Sequence, residues 1–78
     1  MNRISVRPDV CHGKPCIAGT RIMVAQILDL LSAGKSAQEI IAQYFSDITM
    51  EDIQACLSFA KQLVENQEIH VVEESTLK

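Results

Sequence analysis

Apolar residues recur at helical spacing in three stretches of the chain. Val24, Ile27, Leu28 and Leu31 define the first, predicting a helix over 24–33 that stops at Gly34. Leu30 falls outside that stripe and is expected to be exposed. Ile40, Ile41 and Tyr44 predict a second helix over 37–44 that buries all three. Met50, Ile53, Leu57, Ala60 and Val64 form the main stripe of a third helix ending at Asn66, widened by Cys56, Phe59 and Leu63. A stripe so wide suits a helix packed against two others or against a second subunit.

Polar residues mark where the second and third helices begin. Ser36 precedes Glu39 by three positions, the spacing of a capping box in which each side chain satisfies a backbone N–H of the other. Thr49 and Asp52 repeat it with the shorter Asp, while Ile48 and Ile53 stand where a hydrophobic staple would place them. Between the two helix starts Tyr44, Phe45, Ser46 and Asp47 leave room for a tight corner but not for a long loop, the layout of a helix-turn-helix. The start of the first helix is less defined, because Ile22 and Met23 are poor caps.

Outside the helices the pattern changes. Ile4-Ser5-Val6 alternates as a short strand does, and Pro8 ends any ladder that needs its N–H. Residues 16–18 and 20–22 read as two short extended arms about Gly19. After Asn66, Ile69, Val71 and Val72 form a candidate strand that could pair with 4–6 of the same chain or of a second copy. The expected architecture is mainly α: one domain over 1–78, with an arm or hairpin over 1–23, a helical core over 24–66 and a strand or tail over 67–78.

A chain of 78 residues with two Phe, one Tyr and no Trp has little bulk for its core. A homodimer, which buries further surface, is therefore expected. No apolar run is long enough for a secretory signal or a membrane span, and three cysteines are an odd number, so a cytoplasmic protein with free thiols is expected. Net charge is -3, which lowers the expectation of strong nucleic-acid binding. Its distribution is uneven. Arg3, Arg7, Lys14, Arg21 and Lys35 outweigh Asp9 and Asp29 over 1–35, whereas Lys61 and Lys78 face eight carboxylates beyond.

Candidate chemistry is sparse. Cys11, His12 and Cys16 lack the usual spacing of a structural zinc site, and a fourth ligand would have to come from Cys56 or His70. No orienting group accompanies a Cys-His nucleophile, no complete phosphate-binding loop is present, and no carboxylate pair suggests acid–base work. No enzyme, cofactor or metal is expected. A redox role for Cys11 and Cys16 would need their side chains to meet. Arg3, Arg7, Lys14 and Arg21 are candidates for phosphate contacts, though solubility accounts for them as well. On the helix-turn-helix, Ser46, Thr49, Gln54 and Ser58 could reach a DNA groove, Gln54 being suited to bidentate recognition of adenine. Glu51 and Asp52 favour the helix dipole and repel phosphate, which argues the other way.

The run Cys11-His12-Gly13-Lys14-Pro15-Cys16-Ile17-Ala18-Gly19-Thr20-Arg21-Ile22, with Ile27-Leu28-Asp29-Leu30-Leu31, Gly34, Ser36, Glu39-Ile40, Tyr44, Ile48-Thr49 and Glu51-Asp52-Ile53, resembles the small prokaryotic domain-of-unknown-function family 433. The resemblance covers roughly residues 6–62. It implies a winged or homeodomain-like helix-turn-helix fold, and an antitoxin role for some members, whose toxin partner resembles a PIN-type ribonuclease. Met23 and Phe45 stand where the family often has Pro. The resulting expectation is a DNA-binding regulator or antitoxin; the alternative is a protein-interaction module on the same scaffold.

Overall fold

A computed structural model describes residues 3–66. Two short strands, β1 (Ile4–Ser5) and β2 (Cys16–Ile17), precede three helices: α1 (Val24–Ser32), α2 (Ala37–Glu39, continued by a π turn over Ile40–Tyr44) and α3 (Met50–Asn66). The strands pair antiparallel, Ile4 opposite Ile17 and Ser5 opposite Cys16. The candidate strand at 69–72 lies outside the described residues.

The arms about Gly19 form as the glycine predicts. Gly19 takes φ 82, where an L side chain is strained, and the Thr20 N–H returns to the Ile17 carbonyl at 2.9 Å. Ile17 N–H meets the Ile22 carbonyl at 2.9 Å, and Cys16 bridges to Met23. Thr20 locks the turn twice, its hydroxyl donating to the Ile17 carbonyl at 2.7 Å and accepting from the Ile22 N–H at 3.0 Å. This turn delivers the chain to α1. There Met23 does have a partner: its N–H donates to Gln26 Oε1 at 2.8 Å, half of a capping box supplied from inside the helix.

At its far end α1 closes on Gly34 (φ 95), with the Gly34 N–H on the Leu31 carbonyl and the Lys35 N–H on the Leu30 carbonyl, both at 3.0 Å. That is the Schellman pattern, which satisfies the last free carbonyls. Both predicted capping boxes form. Ser36 N–H reaches Glu39 Oε1 at 2.8 Å and Glu39 N–H reaches Ser36 Oγ at 3.1 Å. Asp52 proves long enough: Thr49 N–H meets its Oδ2 at 3.0 Å and Asp52 N–H meets Thr49 Oγ1 at 3.2 Å.

The core joins all of these elements through Ile17, Val24, Ile27, Ile40, Ile48, Ile53 and Cys56. Three expectations about burial need correction. Tyr44 is 45% exposed, because the π turn carries the Phe45 N–H to the Ile40 carbonyl at 2.9 Å. The extra residue in that turn rotates Tyr44 outward and lets Phe45 pack on the core instead. Leu30 is half-buried against the core, not exposed. On α3 only Ile53 and Cys56 are buried; Met50, Leu57, Leu63 and Val64 are exposed, since the bundle covers one side of the helix and its last turns, 61–66, extend past it.

Candidate nucleic-acid interface

The outer side of α3 carries Gln54, Ser58 and Gln62, spaced four apart and therefore aligned along one edge of the helix. β1 runs beside this edge and brings Arg3 to it. Arg3 Nη1 binds Asp52 Oδ1 at 3.0 Å, while the other oxygen of Asp52 caps α3. One carboxylate therefore ties the arm to the helix start. Its two oxygens thus face a guanidinium and the first turn of a helix. Arg3, Glu51, Gln54, Ser58, Phe59 and Gln62 line an open concavity of about 480 Å³.

Arg7 and Arg21 meet elsewhere. Together with Ser5, Gly19 and Thr20 they line a second concavity of about 420 Å³ on the hairpin. Arg7 also forms an exposed ion pair with Asp9 at 3.3 Å. Lys14 borders a third, apolar groove between α1 and α3. Ser46 and Thr49 are exposed at the corner before α3, and the Thr49 hydroxyl accepts the capping bond. The eight candidates thus separate into groups: Arg3, Gln54 and Ser58 share one surface, Arg7 and Arg21 another, and Lys14 joins neither. Gln62 belongs with the first group, and its position eight residues after Gln54 is the signal that would have selected it.

The cysteines occupy structural positions. Cys11 and His12 take φ 54 and 57, a left-handed turn that ends in Gly13 and directs Cys11 Sγ to the Arg21 carbonyl at 3.4 Å. Cys16 Sγ lies 3.6 Å from the neighbouring Thr20 carbonyl. Burial, then the adjacent Cys16 thiol, push the Cys11 thiol up from its ordinary value. Cys56, inside the core, is pushed up to about 11 by burial and by the charge of Asp52. All three are thiols in the structure. Among the described residues no three His, Cys, Asp or Glu side chains group as a metal set, and no helix is long and apolar enough to cross a membrane.

A mainly helical fold with a short hairpin laid against its third helix therefore surrounds this surface. Residues 4–60 match the family described as protein of unknown function DUF433, and the chain belongs to that family. The crystal structure of a DUF433 member protein from Anabaena variabilis ATCC 29413 is similar, at 32% identity and a TM-score of 0.75. The match covers 83% of this chain and 63% of the Anabaena chain. Comparison with curated proteins gives no match.

Proposed function

We propose that the chain is a small DNA-binding regulator of the antitoxin type, with α3 as its recognition helix. The observation that carries this reading is the concavity in which Arg3 from the hairpin stands beside the aligned Gln54, Ser58 and Gln62. Glutamine can pair with adenine through two hydrogen bonds and serine can address several bases, so a polar row of this length suits the edge of a major groove. Arg3 offsets Asp52, one of the two carboxylates at the helix start that would repel phosphate, and leaves Glu51, which lines the same concavity. With a net charge of -3 the affinity depends on few phosphate contacts, and a dimer presenting two such helices about 34 Å apart would supply the rest.

A second surface supports the protein-binding half of an antitoxin role. Met50, Leu57 and Val64 recur every seven residues along α3 and are 41%, 48% and 59% exposed. This apolar shoulder adjoins the polar row, Met50 standing four residues before Gln54, and suits a second copy of the chain. A toxin resembling a PIN-type ribonuclease is the other candidate, by family resemblance. The interaction-module alternative rests on the same shoulder. Titration of the full chain against a labelled fragment of its own promoter, with unrelated DNA as competitor, separates the two. Saturable binding that survives the competitor is expected; no binding at low or near-physiological salt overturns DNA recognition by the chain alone.

A further inference from the structure

Two turns of the hairpin region are clamped against each other. The Val10 N–H on the Arg7 carbonyl at 3.1 Å folds 7–10 back on itself. Thr20 closes the second turn through the Ile17 carbonyl and the Ile22 N–H. Cys11 Sγ then reaches from the first turn to the Arg21 carbonyl at 3.4 Å. Arg7 and Arg21 are thereby held at one concavity of about 420 Å³ by bonds of the backbone, Thr20 and Cys11, none of which uses a guanidinium. Ser5 lines the same space, and its hydroxyl stands 3.9 Å from the Cys16 thiol, a contact weak enough to leave it a donor to a ligand. Gly19 has nothing within 4 Å of where a Cβ would stand, so the wall stays open there.

The charge of this concavity is one-sided. No carboxylate lines it, whereas Glu51 lines the one beside Arg3. Arg7 pairs with Asp9 at 3.3 Å with both side chains well exposed, so solvent screens that pair and the guanidinium keeps further donors. Among the described residues no carboxylate pairs with Arg21. Two like charges facing one space favour an anion between them.

We propose that this concavity binds a phosphate group through Arg7, Arg21 and Ser5 Oγ. Each planar guanidinium can hold two phosphate oxygens, and the tetrahedral group still presents an acceptor to the hydroxyl, whereas a carboxylate offers two oxygens in one plane. The volume is that of a small-molecule site, which leaves room for whatever carries the phosphate. The carrier is a small phosphate ester or a nucleic-acid backbone, and the chemistry recognised is the same in both. The inference does not rest on α3 meeting DNA, because the site includes neither Arg3 nor the polar row.

The test follows backbone amide and arginine side-chain signals of the labelled full-length protein during titration with inorganic phosphate and with phenyl phosphate. Sodium chloride holds the ionic strength constant, and acetate is the carboxylate control. Saturable changes are expected at Ser5, Arg7, Gly19, Thr20 and Arg21. Arg7→Ala and Arg21→Ala should each weaken phenyl phosphate by roughly fivefold or more, and Arg3→Ala should leave it unchanged. All three arginines are exposed, so the variants should keep the Tm of the parent. A promoter fragment without terminal phosphates then identifies the carrier. Displacement of phenyl phosphate assigns the site to a nucleic-acid backbone, and retention assigns it to a small ester. Changes that do not saturate, acetate binding as tightly as phosphate, or undiminished binding in Arg21→Ala overturns the proposal. Such a failure leaves the reading of α3 standing, since that is followed at Gln54, Ser58 and Gln62.

Discussion

At the scale of single residues, much of the hairpin depends on one glycine and the interior on one thiol. Gly19 holds φ 82 with open space where a Cβ would stand, so Gly19→Ala meets backbone strain and no clash. A loss of about 1 kcal/mol in chemical denaturation is expected. Cys56 gives a pH dependence. Its folded pKa lies near 11, above the unfolded thiol, so the folded state holds its proton longer. The contribution is fully present below about pH 8.5 and is lost as pH rises from there towards 11. Stability should fall over that window by on the order of 2 kcal/mol, and Cys56→Ser should reduce the slope; an unchanged slope contradicts the assignment. Alkylation of the native protein near pH 8 should leave Cys16 and Cys56 unmodified, since both are buried, and label Cys11 slowly.

At the scale of elements, the stability of α2 and α3 leans on their two capping boxes. Ser36→Ala and Thr49→Ala should each cost about 1 kcal/mol, read from denaturant midpoints, with little change in the denaturant slope. Arg3→Ala removes an ion pair whose arginine is half-exposed, so its effect on stability should stay below about 1 kcal/mol. These helix starts were legible in the sequence because caps are local: Ser36 and Glu39, or Thr49 and Asp52, need only each other and three intervening residues. The end of α1 at Gly34 was legible for the same reason. The π turn was not. Its bond from Phe45 to Ile40 spans five residues, and helical spacing alone puts Tyr44 inside. Leu30 was misread because α1 is contacted on more than one side, by β2 as well as α3. Gln26 could have been found, since it sits three residues after Met23, but the pattern starts from a Ser or Thr that this helix lacks.

At the scale of the whole molecule, α3 serves three neighbours with three faces: the core through Ile53 and Cys56, the hairpin and its polar row through Gln54, Ser58 and Gln62, and an open apolar shoulder through Met50, Leu57 and Val64. The polar row was legible in the sequence as residues on one face, but its meeting with Arg3 was not. It depends on β1 crossing beside α3, which in turn depends on the register that sets Ile4 against Ile17. That Arg7 and Arg21 line one concavity depends on the same hairpin and on the Gly19 turn. If the shoulder is a self-association surface, Leu57→Glu should shift sedimentation towards the monomer while the thermal transition of the fold persists, because Leu57 is half-exposed. It should also weaken promoter binding, since two half-sites require two helices.

On the proposed function, the edge of α3 beside Arg3 is the surface that meets DNA. It is tested most directly by recording backbone and side-chain amide shifts of the labelled full-length protein while its promoter fragment is added. The largest changes are expected on Gln54, Ser58 and Gln62, including the glutamine side-chain amides, and Gln54→Ala with Gln62→Ala is expected to lower specific affinity by roughly tenfold or more. Shifts confined to the hairpin around Arg7, Gly19 and Arg21, or affinity unchanged in the double variant, would contradict it.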